Sequence, residues 1–359
     1  MKINKIEKYY KSIYIFFTFF SLIIFFFSTV NANSKAYKIE NIEVSKPFEM
    51  KFDKNKVIDE GFYKAFEELM LLIVNSSDQI KIGNIKLREI KAMIESFTIK
   101  EERFINEIYY LNLGVSFNKK QILKFLEIKN IFPSIPNKKK FLFIPIIIEE
   151  KKKDLFIFNN NKLFDEWLSY NESYHLIEYI LPTEDLEDLN MIKEKYDQIE
   201  EYDFKEITNK YSLEDSIVTI LFKKDNDVRV ISRITIKDKV FLKNKSFESI
   251  NLNDINHVSK IIQNLKSDYE DYWKNLNLIN TSLKLPLTIR IKSADKQKIF
   301  RLENILNEQD LIYDYSIMKY NKNFVIYNIT FNGTPNIFLK KMRENDFYID
   351  TQNKIWTLE

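Results

Sequence analysis

The side chains able to do chemistry are few, and their spacing limits what they could do. Two histidines, His175 and His257, stand far apart in a chain without cysteine. A His-based metal centre or a Ser-His-Asp triad would have to use one of them, and neither lies in an HExxH pattern. Both are expected at surface or boundary positions. Glycine occurs only at 61, 83, 114 and 333, too dispersed for a phosphate loop, a dinucleotide fingerprint or a nucleophile elbow. One acidic constellation remains, Glu184, Asp185, Glu187 and Asp188, just after Pro182. Paired carboxylates could serve general acid-base chemistry or bind a divalent cation through oxygen. The same residues in the first turn of a helix would simply offset its macrodipole. The structural reading is preferred, because the sequence positions no second acidic cluster or basic clamp beside them. The residues thus predict no catalytic group, no metal and no cofactor, with the acidic element as the weak candidate site.

The elements that would have to position these groups can be read from hydrophobic periodicity. Tyr37–Val44 alternates weakly as a first strand, and from Val57 a helix carries Phe62, Phe66, Leu69 and Ile73 on one face. A break at Asn75–Asp78 leads to a second expected helix from Leu87 to about Phe97. Tyr109–Asn118, YYLNLGVSFN, is a half-buried strand on which the N-terminal module hangs, and Asn118 caps a short helix over Lys119–Ile128. Phe141–Ile148, FLFIPIII, is apolar on both faces and so must be an interior strand. Lys138–Lys140 and the charges of Glu149–Lys153 flank it as gatekeepers.

Further on, Asp154–Phe158 reads as a strand, Leu163–Leu168 as a short helix containing Trp167, and Leu176–Leu181 as a strand stopped by Pro182. The acidic element opens a helical region, and another helix covers about Phe204–Tyr211. Ile217–Phe222, Val228–Ile236 and Lys239–Leu242 form a meander. A long helix follows, with Asn253 as its expected cap and Ile255, Val258, Ile262, Leu265, Tyr269, Tyr272 and Leu276 along its stripe. The last part reads β-α-β-β-α-β, a ferredoxin-like split-βαβ unit, with Thr334 as a helix cap before Pro335. Trp167, Trp273 and Trp356 are expected as core anchors rather than ligand platforms. The fold class is α+β, with stacked mixed modules at 33–150, 151–281 and 282–359 after a signal peptide at 1–32.

That signal peptide rests on Lys2, Lys5, Lys8 and Lys11 ahead of an apolar run over Ser12–Val30. Val30-Asn31-Ala32 is a small-x-small site, so cleavage is expected between Ala32 and Asn33. An uncleaved membrane anchor is the alternative, since the run is long enough to span. No Cys follows it, which rules out a lipoprotein anchor. Removing residues 1–32 takes four of the 55 basic and one of the 52 acidic residues, so the mature chain is formally neutral. Nothing then argues for a nucleic-acid partner, and without Cys stability must come from packing. The expected location is the periplasm, with membrane contact only through the N-terminal segment and with other envelope proteins as partners.

Several stretches resemble the exported bacterial proteins grouped as domain of unknown function 2066. EGFYKAFEELMLLI followed by a break, and then ESFTIKEERFINEIYYLNLGVSFNKKQILKFL, is similar to that family's strand-then-helix core. LPTEDLEDL resembles its Leu-Pro acidic element, KEITNKYSLEDSIVTILF its helix-turn-strand segment, and IWTL its closing Trp-x-Leu strand. Ser76 and Ser77 depart from the family's usual Thr-Gly pair. The resemblance implies an envelope location and no assigned activity, and it carries over no functional residues. From the residues the expected role is a non-enzymatic interaction or assembly module. The alternative is a solute- or cation-binding protein, or an enzyme, using the acidic element near Asp185 and Asp188.

Overall fold

Three sheets, each covered by helices, make an α+β protein, and the computed structural model describes residues 37–169 and 175–359. The expected signal segment and its Ala32/Asn33 cleavage position lie outside the described residues. Among the described residues, no helix is long and apolar enough to cross a membrane.

The first unit contains β1 (Lys38–Pro47), α1 (Lys54–Ile73), α2 (Ser76–Ile82), α3 (Leu87–Met93), β2 (Ile94–Ile105), β3 (Ile108–Phe117) and α4 (Lys119–Ile128). Its antiparallel sheet has the order β1-β3-β2, so YYLNLGVSFN is the central strand. Leu111, Leu113, Val115 and Phe117 alternate onto one face and share a core with the Phe62, Phe66, Leu69 and Ile73 stripe of α1. Contact between that helix and β3 is so close that a Cβ at Gly61 would overlap the Leu113 side chain. As expected, the Asn118 side chain caps α4 by accepting from the Gln121 N–H.

Two expectations fail in this unit. A short helix, α2, starts at Ser76 inside the expected break, and the helix expected over Leu87–Phe97 ends at Met93. From Ile94 the chain becomes the edge strand β2, whose residues are almost all exposed. Asn106 and Glu107, both at positive φ, turn it into β3. An edge strand wetted on both faces lacks the apolar alternation by which strands are read.

The second unit contains β4 (Lys139–Glu149), β5 (Asp154–Phe156), α5 (Lys162–Glu166), β6 (Ile177–Ile180), α6 (Leu186–Glu194), α7 (Lys205–Lys210), β7 (Ser216–Lys224), β8 (Asp227–Ile236), β9 (Lys239–Phe247) and α8 (Ile255–Leu276). The sheet runs β5-β4-β7-β8-β9, with β6 also beside β4. β4 is parallel to β6 and β7, and the other pairs are antiparallel. Thus residues 139–149, grouped above with the N-terminal module, hydrogen-bond in the middle sheet. β4 is the doubly covered strand its composition requires: Phe141, Phe143 and Ile147 face the core under α8, and Leu142, Ile144, Ile146 and Ile148 face the core that holds Ile192 of α6 and Ile207 of α7.

The third unit contains β10 (Lys284–Lys292), α9 (Lys296–Glu308), β11 (Ile312–Tyr320), β12 (Phe324–Asn332), α10 (Pro335–Arg343), β13 (Ile349–Asp350) and β14 (Trp356–Leu358). The order β11-β12-β10-β14-β13, with β14 parallel to β10, is the ferredoxin-like arrangement extended by the short β13. Thr334 caps α10, with Pro335 at its first position.

Candidate functional site

α8 carries an apolar stripe and also a charged one. Lys266, Glu270 and Lys274 recur every four residues, which aligns them on one helix face, and all three are buried. Burying three ions is costly unless each finds a partner. The Glu270 carboxylate accepts the backbone N–H groups of Leu176 (3.0 Å) and Ile177 (2.8 Å), holding the start of β6. His175 lies beside it, with Nδ1 3.5 Å from Glu270 Oε1. Lys274 Nζ donates to the Leu71 carbonyl and, at 3.1 Å, to the Val74 carbonyl. These acceptors are at the C-terminal end of α1, where unsatisfied carbonyls attract a cation. Burial pushes the Lys274 pKa below its ordinary value. Lys266 Nζ stands 5.4 Å from the Trp167 ring and 5.5 Å from the Tyr179 ring, over faces that attract a cation.

The next face of α8 binds the first unit as well. Asp271 accepts from the Ser76 N–H at 2.8 Å and from the Ser76 hydroxyl, so it serves the first turn of α2. Asn75 Nδ2 donates to Asn275 Oδ1 at 2.7 Å. Beyond the helix, Ile279 N–H donates to the Pro133 carbonyl (2.7 Å) and Ile135 N–H to the Asn277 carbonyl (2.8 Å). Between α1, α2 and α8 lies a cavity of about 410 Å³, floored by Leu71 and Val74 and rimmed by Gln79, His175, Gln263 and Glu270. It has the mixed lining of a small-molecule pocket, but its charged groups hold together the chain segments around it.

The sequence-predicted acidic residues are brought together, though not as a free cluster. Asp185 is the N-cap of α6 and accepts the Glu187 N–H at 2.8 Å. That bond, followed by Lys210, keeps its carboxyl below the usual carboxylate range. Lys210 of α7 binds the buried Asp188 and lies 3.3 Å from Asp185 and 3.9 Å from Glu187. A basic clamp therefore exists, supplied from 22 residues downstream of Asp188. Among the described residues, no group of three or more His, Cys, Asp or Glu side chains is arranged to hold a metal ion. Glu184 and Asp185 do line a cleft of about 580 Å³ together with Asp154, Asn160, Lys193 and Tyr196. His257 is elsewhere, its Nδ1 accepting the Asn251 N–H at 3.0 Å just before α8. Trp167 is fully buried and stacks on Phe143 with ring centroids 3.7 Å apart. Trp273 and Trp356 pack at the edges of two cores.

Residue-by-residue reading missed the α8 charges. Their i, i+4, i+8 spacing was available, but a charged stripe on a helix is ordinarily solvated. Only the arrival of α1 and β6 against it makes it a buried polar seam. The cap of α8 is also corrected: Asp254, not Asn253, accepts the Asn256 N–H at 2.9 Å.

The remaining surface features are sheet edges. β2, β9 and β11 each end a sheet. Ile317, Met318 and Tyr320 of β11 are exposed, as are Val240 and Leu242 of β9. No protein-family model matches the chain, and no curated protein does.

Proposed function

We propose that this chain is an exported cell-envelope protein that works by binding other proteins, not by catalysis. The observation that carries the reading is the set of long terminal strands with exposed apolar side chains on β9 and β11. A terminal strand presents unpaired N–H and C=O groups on which an extended segment of another chain can add. The buried charges support the same reading: Asp271 and Lys274 fasten the middle unit to the first, and Glu270 fixes the start of β6 within the middle unit, so these groups serve structure and not catalysis. Export rests on the N-terminal sequence, and kinship with the domain of unknown function 2066 proteins rests on the motifs quoted above.

A photo-reactive amino acid at Leu242 or Ile317 in living cells should cross-link to other proteins, whereas one at Ile80, exposed on α2, should not. Equal labelling from all three positions would sink the proposal. N-terminal sequencing of the mature protein checks export, with Asn33 as the expected first residue.

The cleft beside the acidic element favours a second reading, a solute-binding protein. Glu184→Gln with Lys193→Met should then abolish a ligand-induced rise in melting temperature when a library of small polar solutes is screened. If no solute raises the melting temperature of the unaltered protein, this reading fails.

A further inference from the structure

The terminal strands are not equivalent. β1 and β2 are interrupted by register shifts at Ile39/Ile42 and at Ile94/Ser96 and Ile99/Glu101. β11 is interrupted twice, at Ile312/Asp314 and Ile317/Lys319, and α4 reaches its first half through the Lys120–Asp314 ion pair (2.6 Å). Such bulges twist an edge away from a newcomer. On the other side of the middle sheet, β5 and β6 are only three and four residues long. β9 differs from all of them. It pairs with β8 in unbroken register from Val228↔Phe247 to Ile236↔Lys239, and most of its residues are exposed.

β9 also has a charge signature. Within KVFLKNKSF there are three lysines and no acidic residue. Lys239, Lys243 and Lys245 are separated by even spacings, so they share the face that carries Phe241, whose ring meets Tyr272 of α8. Lys243 and Lys245 both reach Asp268 of α8, at 2.9 and 2.8 Å. One carboxylate thus answers two lysines, and Lys239 makes no ion pair among the described residues. A second copy of this strand would set lysine against lysine, which disfavours self-pairing. An acidic strand would find complementary charge along the same row.

From this regular, cationic edge we propose that β9 takes up an extended acidic segment of a partner protein as an added strand of the middle sheet. Acidic side chains at alternate positions of that segment lie over Lys239 and Lys243, and its intervening residues lie beside Val240 and Leu242 on the opposite face. The proposal rests on the reading of the protein as a binding protein and names the edge and the partner's chemistry.

Hydrogen–deuterium exchange of the full-length protein tests it, with three probes: a peptide alternating Glu with Thr, the same peptide with Lys for Glu, and an N-methylated copy of the acidic peptide that keeps its charge but loses backbone donors. Residues 239–247 should exchange more slowly with the first peptide alone. Lys239→Glu combined with Lys243→Glu should weaken the acidic peptide about tenfold and transfer the protection to the lysine peptide. Both side chains are on the surface, and an unchanged unfolding midpoint verifies that the variant folds. Protection by acidic and lysine peptides alike, protection by the N-methylated peptide, protection confined to β2 or β11, or no protection would each overturn the assignment. Photo-cross-links from Ile317 would leave the broader binding role standing after any of these failures.

Discussion

Lys274 completes a helix to which it does not belong. Its ammonium group sits at the end of α1 on the Leu71 and Val74 carbonyls, and Glu270 does the opposite for two N–H groups at the start of β6. Removing either partner leaves buried polar backbone unsatisfied, the expensive half of a broken hydrogen bond. Lys274→Met and Glu270→Ala should each lower stability by about 2–3 kcal/mol in urea unfolding. A surface pair such as Lys284–Glu127, partly exposed on both sides, should cost under about 1 kcal/mol when Lys284 becomes Ala. A half-buried lysine, Lys119, makes stability depend on pH. Lys119 donates to the Gln309 carbonyl at 2.6 Å, and burial, partly offset by nearby Asp310, lowers its pKa from 10.5 to about 8. Between these two values the unfolded chain holds a proton that the folded chain has released, so stability rises with pH across that window. Below it, both states are protonated and the contribution is flat. Burial raises the Asp310 pKa above its ordinary value, so the contribution of that group has the opposite sign, with stability lost as pH rises through its folded value. Urea midpoints of the protein and of Lys119→Met, compared at neutral pH and near pH 10, should show a smaller alkaline gain in the variant, which keeps only the contribution of Lys274.

Among the elements, α8 shows most clearly what periodicity can and cannot reveal. Its apolar stripe, Val258, Ile262, Leu265 and Tyr269, was legible, and these residues are in the core. Its cap was read one residue early, because Asn253 and Asp254 are both good capping residues and sequence alone does not say which has the extended backbone. Asp254→Ala should cost about 1 kcal/mol of stability by thermal or urea unfolding, and Asn253→Ala much less. YYLNLGVSFN was readable because its large apolar residues alternate onto the face that α1 covers, while the other face carries the polar or small Asn112, Gly114 and Ser116. β2 was missed for the complementary reason, since almost none of it is buried. The acidic element was legible as a helix start, and Asp185 is its cap. Its lysine clamp was not, because Lys210 belongs to a different helix.

The molecule as a whole is three units joined by polar seams. α8 binds the middle unit through its apolar face and the first unit through Asp271, Lys274 and Asn275. The third unit meets α4 through Lys119, Lys120 and Lys284. Loosening the first seam should therefore be local. With Asp271→Ala and Lys274→Met together, amide exchange should quicken at the end of α1 and through α2, while β10–β12 remain as protected as before. Equal acceleration in all three units would mean that the molecule opens as one. The sequence by itself determined the α+β class, the doubly buried β4, the ferredoxin-like third unit and the caps at Asn118 and Thr334. These follow from burial periodicity and backbone geometry within short stretches of chain. Tertiary structure alone decided that β4 belongs to the middle sheet, that the charged stripe of α8 is buried, that Lys210 clamps Asp185 and Asp188 of the acidic element, and that β9 keeps a regular free edge. Each of these depends on which distant segment arrives against a surface, and therefore on whether a charge meets water, a partner or an unpaired backbone.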